Sequence, residues 1–150
     1  ENENLLIKYE LDFEQKLAQA FYSTGVNSKD RVTAKEDYEQ AIQHYQNLLQ
    51  LNASNEEDIL VKIGVIYQEM GEAARAVEQF QSAIKNYPKS MDAHVKLGNL
   101  LLDIEQGKEE GSRSYQPAKL TFEHASALDG AGEDEAFKKL KRRFDNLSIN

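Results

Sequence analysis

Three lysines stand at one register along the chain. Lys62 and Lys96 each lie two residues before a glycine, Gly64 and Gly98, and Lys16 lies two before Ala18. Carried on separate helices at one register, such amines can grip carboxylates through charge-assisted hydrogen bonds, each worth ~1.5 to 3 kcal/mol before desolvation is subtracted. The competing reading is a set of solvated lysines balancing Asp58 and Asp92, because an exposed ion pair adds only ~0 to 1 kcal/mol. Other candidate chemistry is thinner. His44, His94 and His124 are the only histidines. None has a histidine partner at i+3 or i+4 that would make a helical metal pair, so packing explains them better than ligation. The acid clusters Glu56, Glu57, Asp58 and Glu109, Glu110 suit helix starts and turns. With no cysteine there is no disulfide, thiolate metal site or cysteine nucleophile. The glycine-rich phosphate loops, the G-x-S-x-G elbow and H-E-x-x-H are all missing from the sequence. No catalytic residue, metal or cofactor is expected.

The elements that must position the lysines are legible from one 34-residue unit. Between Glu57 and Ser90, Leu60, Ile63, Gly64, Tyr67, Ala76, Phe80, Ala83 and Pro88 follow at spacings 3, 1, 3, 9, 4, 3 and 5. Small Gly64 and Ala76 suit a close approach of two antiparallel helices, Tyr67 and Phe80 fill the space between them, and Pro88 stops the second helix. This pattern resembles the tetratricopeptide repeat. The same spacing recurs at His94, Leu97 and Gly98, with Leu101 in the place of Tyr67, and its second half follows at Ala118, Phe122 and Ala125 after an eight-residue insertion within Glu105 to Ser114. Upstream, Leu17, Ala18 and Phe21 pair with Ala41, Tyr45 and Leu48 across a turn lengthened at Gly25 to Thr33. Three such units, at about 13–55, 57–90 and 91–129, meet the minimum for a stack in which no unit buries its apolar face alone.

Helix limits follow from local signals. Leu5, Tyr9, Phe13, Leu17 and Phe21 predict a first helix from about Asn4 to Ser23, ending near Gly25. Thr33 with Glu36, and Ser54 with Glu57, read as capping boxes opening the second and third helices. Gly71 should end the third, the fourth should run from about Ala73 to Tyr87, Ser90 should cap the fifth, and Pro117 should open a sixth reaching about Leu128. A last helix within 133–147 places Phe137, Leu140, Phe144 and Leu147 on one face and five bases on the others. It resembles the solvating helix that closes such stacks; a basic docking patch is the competing reading.

The fold class expected is all-α: one domain over 1–150, a right-handed superhelix of about three helical hairpins with a C-terminal capping helix. The composition, 40% hydrophobic and 29% charged, is that of a helical globular chain. No apolar run approaches the roughly 20 residues of a membrane span, and Glu1 to Tyr9 lacks the features of a signal peptide. The cytoplasm is the favoured compartment, though no signal assigns one. Net charge is -8, with 12 acids against five bases in 1–60, which opposes nonspecific nucleic-acid binding. The aromatic residues mostly hold core places, so a base-stacking surface is not expected.

The resemblance implies that the first helix of each unit lines a concave groove. On this chain that face would carry Val61, Lys62, Val65 and Glu69 in one unit, Val95, Lys96, Asn99 and Leu102 in the next, and Lys16 upstream. The function implied is noncatalytic binding of a protein or peptide, with an acidic segment as one candidate guest. Known members that clamp chaperone C-termini need a lysine and asparagine set; here those places hold Gln15, Gln19, Lys62, Asp92 and Lys96, so a clamp is disfavoured. The alternatives are an architectural module, including a homo-oligomer held through Leu5 to Phe21, and the regulatory arm of a larger protein.

Overall fold

Apolar residues at helical spacing, interrupted by glycine, proline and short polar turns, close into seven α-helices in the computed structural model, which describes residues 2–147. They are α1 Asn2–Asn27, α2 Arg31–Gln50, α3 Glu56–Glu69, α4 Ala73–Asn86, α5 Met91–Gln106, α6 Gln116–Ser126 and α7 Glu135–Leu147. A 3-10 turn at Glu110–Ser112 stands between α5 and α6, and no strand occurs among the described residues. The all-α expectation holds. The helices gather into two compact units, Glu1–Glu72 and Ala73–Asn150, so the boundary falls within the 57–90 repeat.

In the first unit α1 and α2 run antiparallel, as the cross-helix pairs show: Glu14 meets His44 and Asn47, and the Tyr22 and Tyr38 ring centroids lie 6.1 Å apart. The expected long turn at Gly25 to Thr33 is corrected. Gly25 is helical and buried, and the excess residues lengthen both helices, leaving only 28–30 between them. The reason is space: a Cβ on Gly25 would stand 2.8 Å from two Tyr38 ring carbons and 3.3 Å from the Ala34 carbonyl oxygen. The glycine therefore lets the helices approach rather than turn. The cap of α2 is Asp30, whose carboxylate accepts from the Thr33 amide at 2.9 Å and hydroxyl at 2.6 Å, so Thr33 belongs to the first turn and is not the cap.

The five-residue stripe on α1 is corrected too. Leu17 and Phe21 are half-buried, but Leu5, Tyr9 and Phe13 are exposed, at 49%, 64% and 61%. A four-residue step overshoots the 3.6-residue turn by about 40°, so four steps swing the stripe by about 160° off the hairpin. The face that packs includes Leu11, Ala18, Phe21 and Tyr22, joining Tyr38, Ala41, Ile42, Tyr45 and Leu48 with Ile59, Ile63 and Ile66 of α3. Asn52, at φ 54°, ends α2 in the left-handed region, with the Ala53 amide donating to Leu48 O. The start of α3 is Asn55 rather than Ser54, and Glu56, Glu57 and Asp58 face its positive end. Gly71, at φ 76°, ends it as expected, with the Glu72 amide reaching Tyr67 O at 2.8 Å.

In the second unit α4 stops before Pro88 and Ser90 caps α5 by accepting from the Ala93 amide at 3.3 Å. Phe80, Ala76 and Ala83 of α4 are fully buried. The inserted stretch is an ordered strap. Glu105 accepts from the Lys108 ammonium at 2.7 Å and from the Ser114 amide at 2.8 Å, and these bonds, the Lys108 one foremost, hold its carboxyl below the usual range. Arg113 closes the strap by donating to the Lys108 and Gln106 carbonyls. Pro117 lies in the first turn of α6 as expected. Around Val95, Leu102, Ala118 and Ala125 the core is completed by Phe137, Leu140 and Phe144 of α7. Phe122 stacks on Phe137 at 5.3 Å and lies 4.7 Å from the Phe144 centroid.

Candidate partner-binding surface

Helical periodicity places Asp58, Val61, Lys62, Val65 and Glu69 along α3. Lys62 is half-exposed; its ammonium lies 2.7 Å from Asp58 Oδ2 and 5.9 Å from the Tyr45 ring centroid. Burial, with the Asp58 charge second, pushes the Tyr45 hydroxyl up to about 12. Val65 is half-buried and Val61 is 4% exposed, so Val61 has no apolar surface left for a guest. Glu69 is exposed at the other end of α3, on a cavity of about 480 Å³ that Arg31, Lys35 and Tyr38 also line. After burial, the Glu69 charge is the next cause that raises the Tyr38 hydroxyl.

The corresponding face of α5 is largely taken. Val95 and Leu102 belong to the core that α7 completes, at 3% and 0% exposure. Asn99 accepts from Arg143 Nη1 at 2.7 Å, while Arg143 Nη2 donates to Asp103 at 2.6 Å and Gln106 at 3.0 Å. Gly98 lies under α7 as well: a Cβ there would stand 2.9 Å from Leu140 Cδ2. The expectation that Val95, Asn99 and Leu102 form an open wall is corrected, because the closing helix covers that strip. Lys96 remains half-exposed and pairs with Asp92 at 3.5 Å.

Lys16 repeats the arrangement, with Asp12 at 2.7 Å. Each lysine of the register thus has an aspartate four residues earlier, the favourable acid-before-base order on a helix. The line of amines is a line of ion pairs. Sequence reasoning set Asp58 and Asp92 beside two of them but missed Asp12, although the same i−4 spacing reveals it. It also missed Glu14, which accepts from Asn47 and lies 2.6 Å from His44 Nδ1, while the His44 ring stacks on Phe21 at 5.5 Å. No group of three or more metal-ligating side chains gathers among the described residues, and no described helix is long and apolar enough to cross a membrane.

Residues 58–90 match the family described as Tetratricopeptide repeat. Photosystem I assembly protein Ycf3 of Synechococcus sp. (strain CC9311) is 31% identical over 103 residues, 65% of this chain and 56% of that protein. The chain therefore spans little more than half the length of this curated relative. Among solved structures, the Sgt2 TPR domain from Aspergillus fumigatus is similar at a TM-score of 0.61 and 22% identity, covering 91% of this chain and 82% of that one. MamA is similar at a TM-score of 0.53 and 24% identity, covering 76% and 61%. Both likenesses concern the fold.

Proposed function

We propose that this chain, which belongs to the tetratricopeptide-repeat family, is a noncatalytic protein-binding module that serves the assembly of a multiprotein complex. The observation that carries the reading is the 31% identity over 103 residues with a relative whose name is that of an assembly protein. The family match at 58–90 supports the coarser part, because helical repeats of this kind present side chains to protein partners. The contact residues we assign are those with open surface: Lys62, Val65 and Glu69 on α3, Lys96 with Asp92 on α5, and Lys16 on α1. A peptide or helical segment received on α3 would cover Val65, and on either helix it would meet charges of both signs. An acidic segment can exchange with Asp58 or Asp92 at little cost, because exposed pairs of this kind contribute only ~0 to 1 kcal/mol. Affinity purification with the chain as bait, compared with Lys62→Glu/Lys96→Glu, tests this. We expect a stoichiometric protein partner that the double variant loses by about tenfold, ~1.4 kcal/mol, while its helical circular dichroism is unchanged. Undiminished capture by the variant would remove α3 and α5 from the role.

A second reading, self-association, is favoured by one specific observation. Beyond the Glu14 and Asn47 contact α1 outruns the end of α2, and Leu5, Leu6, Ile7, Tyr9 and Phe13 are all at least 45% exposed. Contiguous apolar surface of this kind marks association sites. Sedimentation at rising concentration decides: a dimer abolished by Leu6→Glu/Tyr9→Glu supports self-association, and a monomer throughout rejects it.

A further inference from the structure

Within the second unit, α4, α5 and α6 leave a cavity of about 210 Å³. Ile84 and Leu97 make its aliphatic walls, and two polar side chains that line it are more than nine-tenths buried, His94 at 4% and Thr121 at 8% exposure. His94 Nδ1 lies 2.7 Å from the Ser90 carbonyl oxygen, an atom that can only accept, so Nδ1 carries a hydrogen. In the neutral imidazole Nε2 is then an acceptor, and no hydrogen bond to it occurs among the described residues. No fully buried side-chain nitrogen or oxygen among them lacks a partner, so Nε2 keeps accessible surface, on a residue that lines the cavity. Thr121 uses its hydroxyl hydrogen on Pro117 O at 2.9 Å, which leaves its oxygen able only to accept. Two acceptors in an aliphatic recess call for a donor on an apolar body.

We propose that this cavity receives a tyrosine side chain of a partner protein, with the phenol hydroxyl donating to His94 Nε2. This rests on the reading of the chain as a protein-binding module. The space is sufficient, since a cavity of about 150 Å³ already holds a benzene ring. The phenol oxygen can also accept, which suits the exposed Lys85 and Gln81 at the rim. Phenylalanine would leave the His94 acceptor desolvated and unpaired. An indole N–H could donate but not accept from the rim. Buried aromatic anchors of this kind dominate protein interfaces.

The test is nuclear magnetic resonance of the full chain with p-cresol, toluene and indole as probes. We expect saturable shifts of the His94 ring and the Thr121 methyl with p-cresol, binding tighter than toluene by about tenfold. His94→Leu should erase that preference, while Thr121→Val should leave it, because the single phenol hydrogen goes to His94 Nε2 and Thr121 has none to give back. Absence of saturation, toluene or indole binding as tightly as p-cresol, or a p-cresol preference that survives His94→Leu would overturn the proposal. Such a failure leaves capture through Lys62 and Lys96 untouched, whereas lost capture beside an intact p-cresol site would count against the assembly reading alone.

Discussion

Gly25 governs how closely the first hairpin closes, because any Cβ there meets the Tyr38 ring at 2.8 Å. A ring buried to 7% exposure has little room to yield, so Gly25→Ala should destabilise the fold by ~1 to 3 kcal/mol, despite the better helix propensity of alanine. Urea denaturation followed by circular dichroism checks this; a stabilised variant would mean the helices are not in contact there. The sequence shows a glycine but not its neighbour, and a lone glycine near a helix end reads equally as a terminator. Tyr45 yields a pH prediction. Burial favours its neutral form, so its folded pKa lies above the unfolded one, and its stabilisation is complete below about pH 10 and lost as pH rises towards about 12. The loss is at most about 3 kcal/mol, and Tyr45→Phe should flatten that alkaline limb. The lysine register was legible because three residues share one offset, and the aspartates that pair with them share another.

Among the elements, α7 was the most legible and the most misjudged in consequence. Its apolar face, Phe137, Leu140 and Phe144, marked it as a closing helix, and the structure seats those residues beside Val95 and Leu102. What a pattern read one helix at a time does not reveal is that this seat is the same strip of α5 that was expected to receive a guest. Arg143, one of five bases in the helix, looks like surface charge in sequence and instead joins α7 to Asn99 and Asp103. Phe144→Ala should cost ~3 to 5 kcal/mol, as for a buried aromatic residue, and Arg143→Ala only about 1, since its pair with Asp103 is partly exposed. Thermal melts of the two variants rank them, and equal effects would contradict the division of roles between packing and polar contact. The strap after α5 escaped sequence reading for a related reason: glycine, serine and charge suggest a loose turn, while the order comes from Glu105 reaching nine residues ahead to the Ser114 amide.

Over the whole chain the charge divides as the units do. Residues 1–72 carry 14 acids and six bases, whereas 73–150 carry 12 of each, so the entire excess of eight negative charges lies in the first unit. That distribution opposes nonspecific contact with nucleic acid; the chain should give no mobility shift with duplex DNA at physiological salt. The central claim is that a partner protein is received on the open surface of α3 or on that of the start of α5. Hydrogen exchange of the chain alone and in complex with its co-purified partner measures this most directly. The account predicts slowed exchange across 56–69 or across 91–96, the segments that hold Lys62 and Lys96. Protection confined to the exposed face of α1 or to the strap at 107–115, with both segments unchanged, would contradict it.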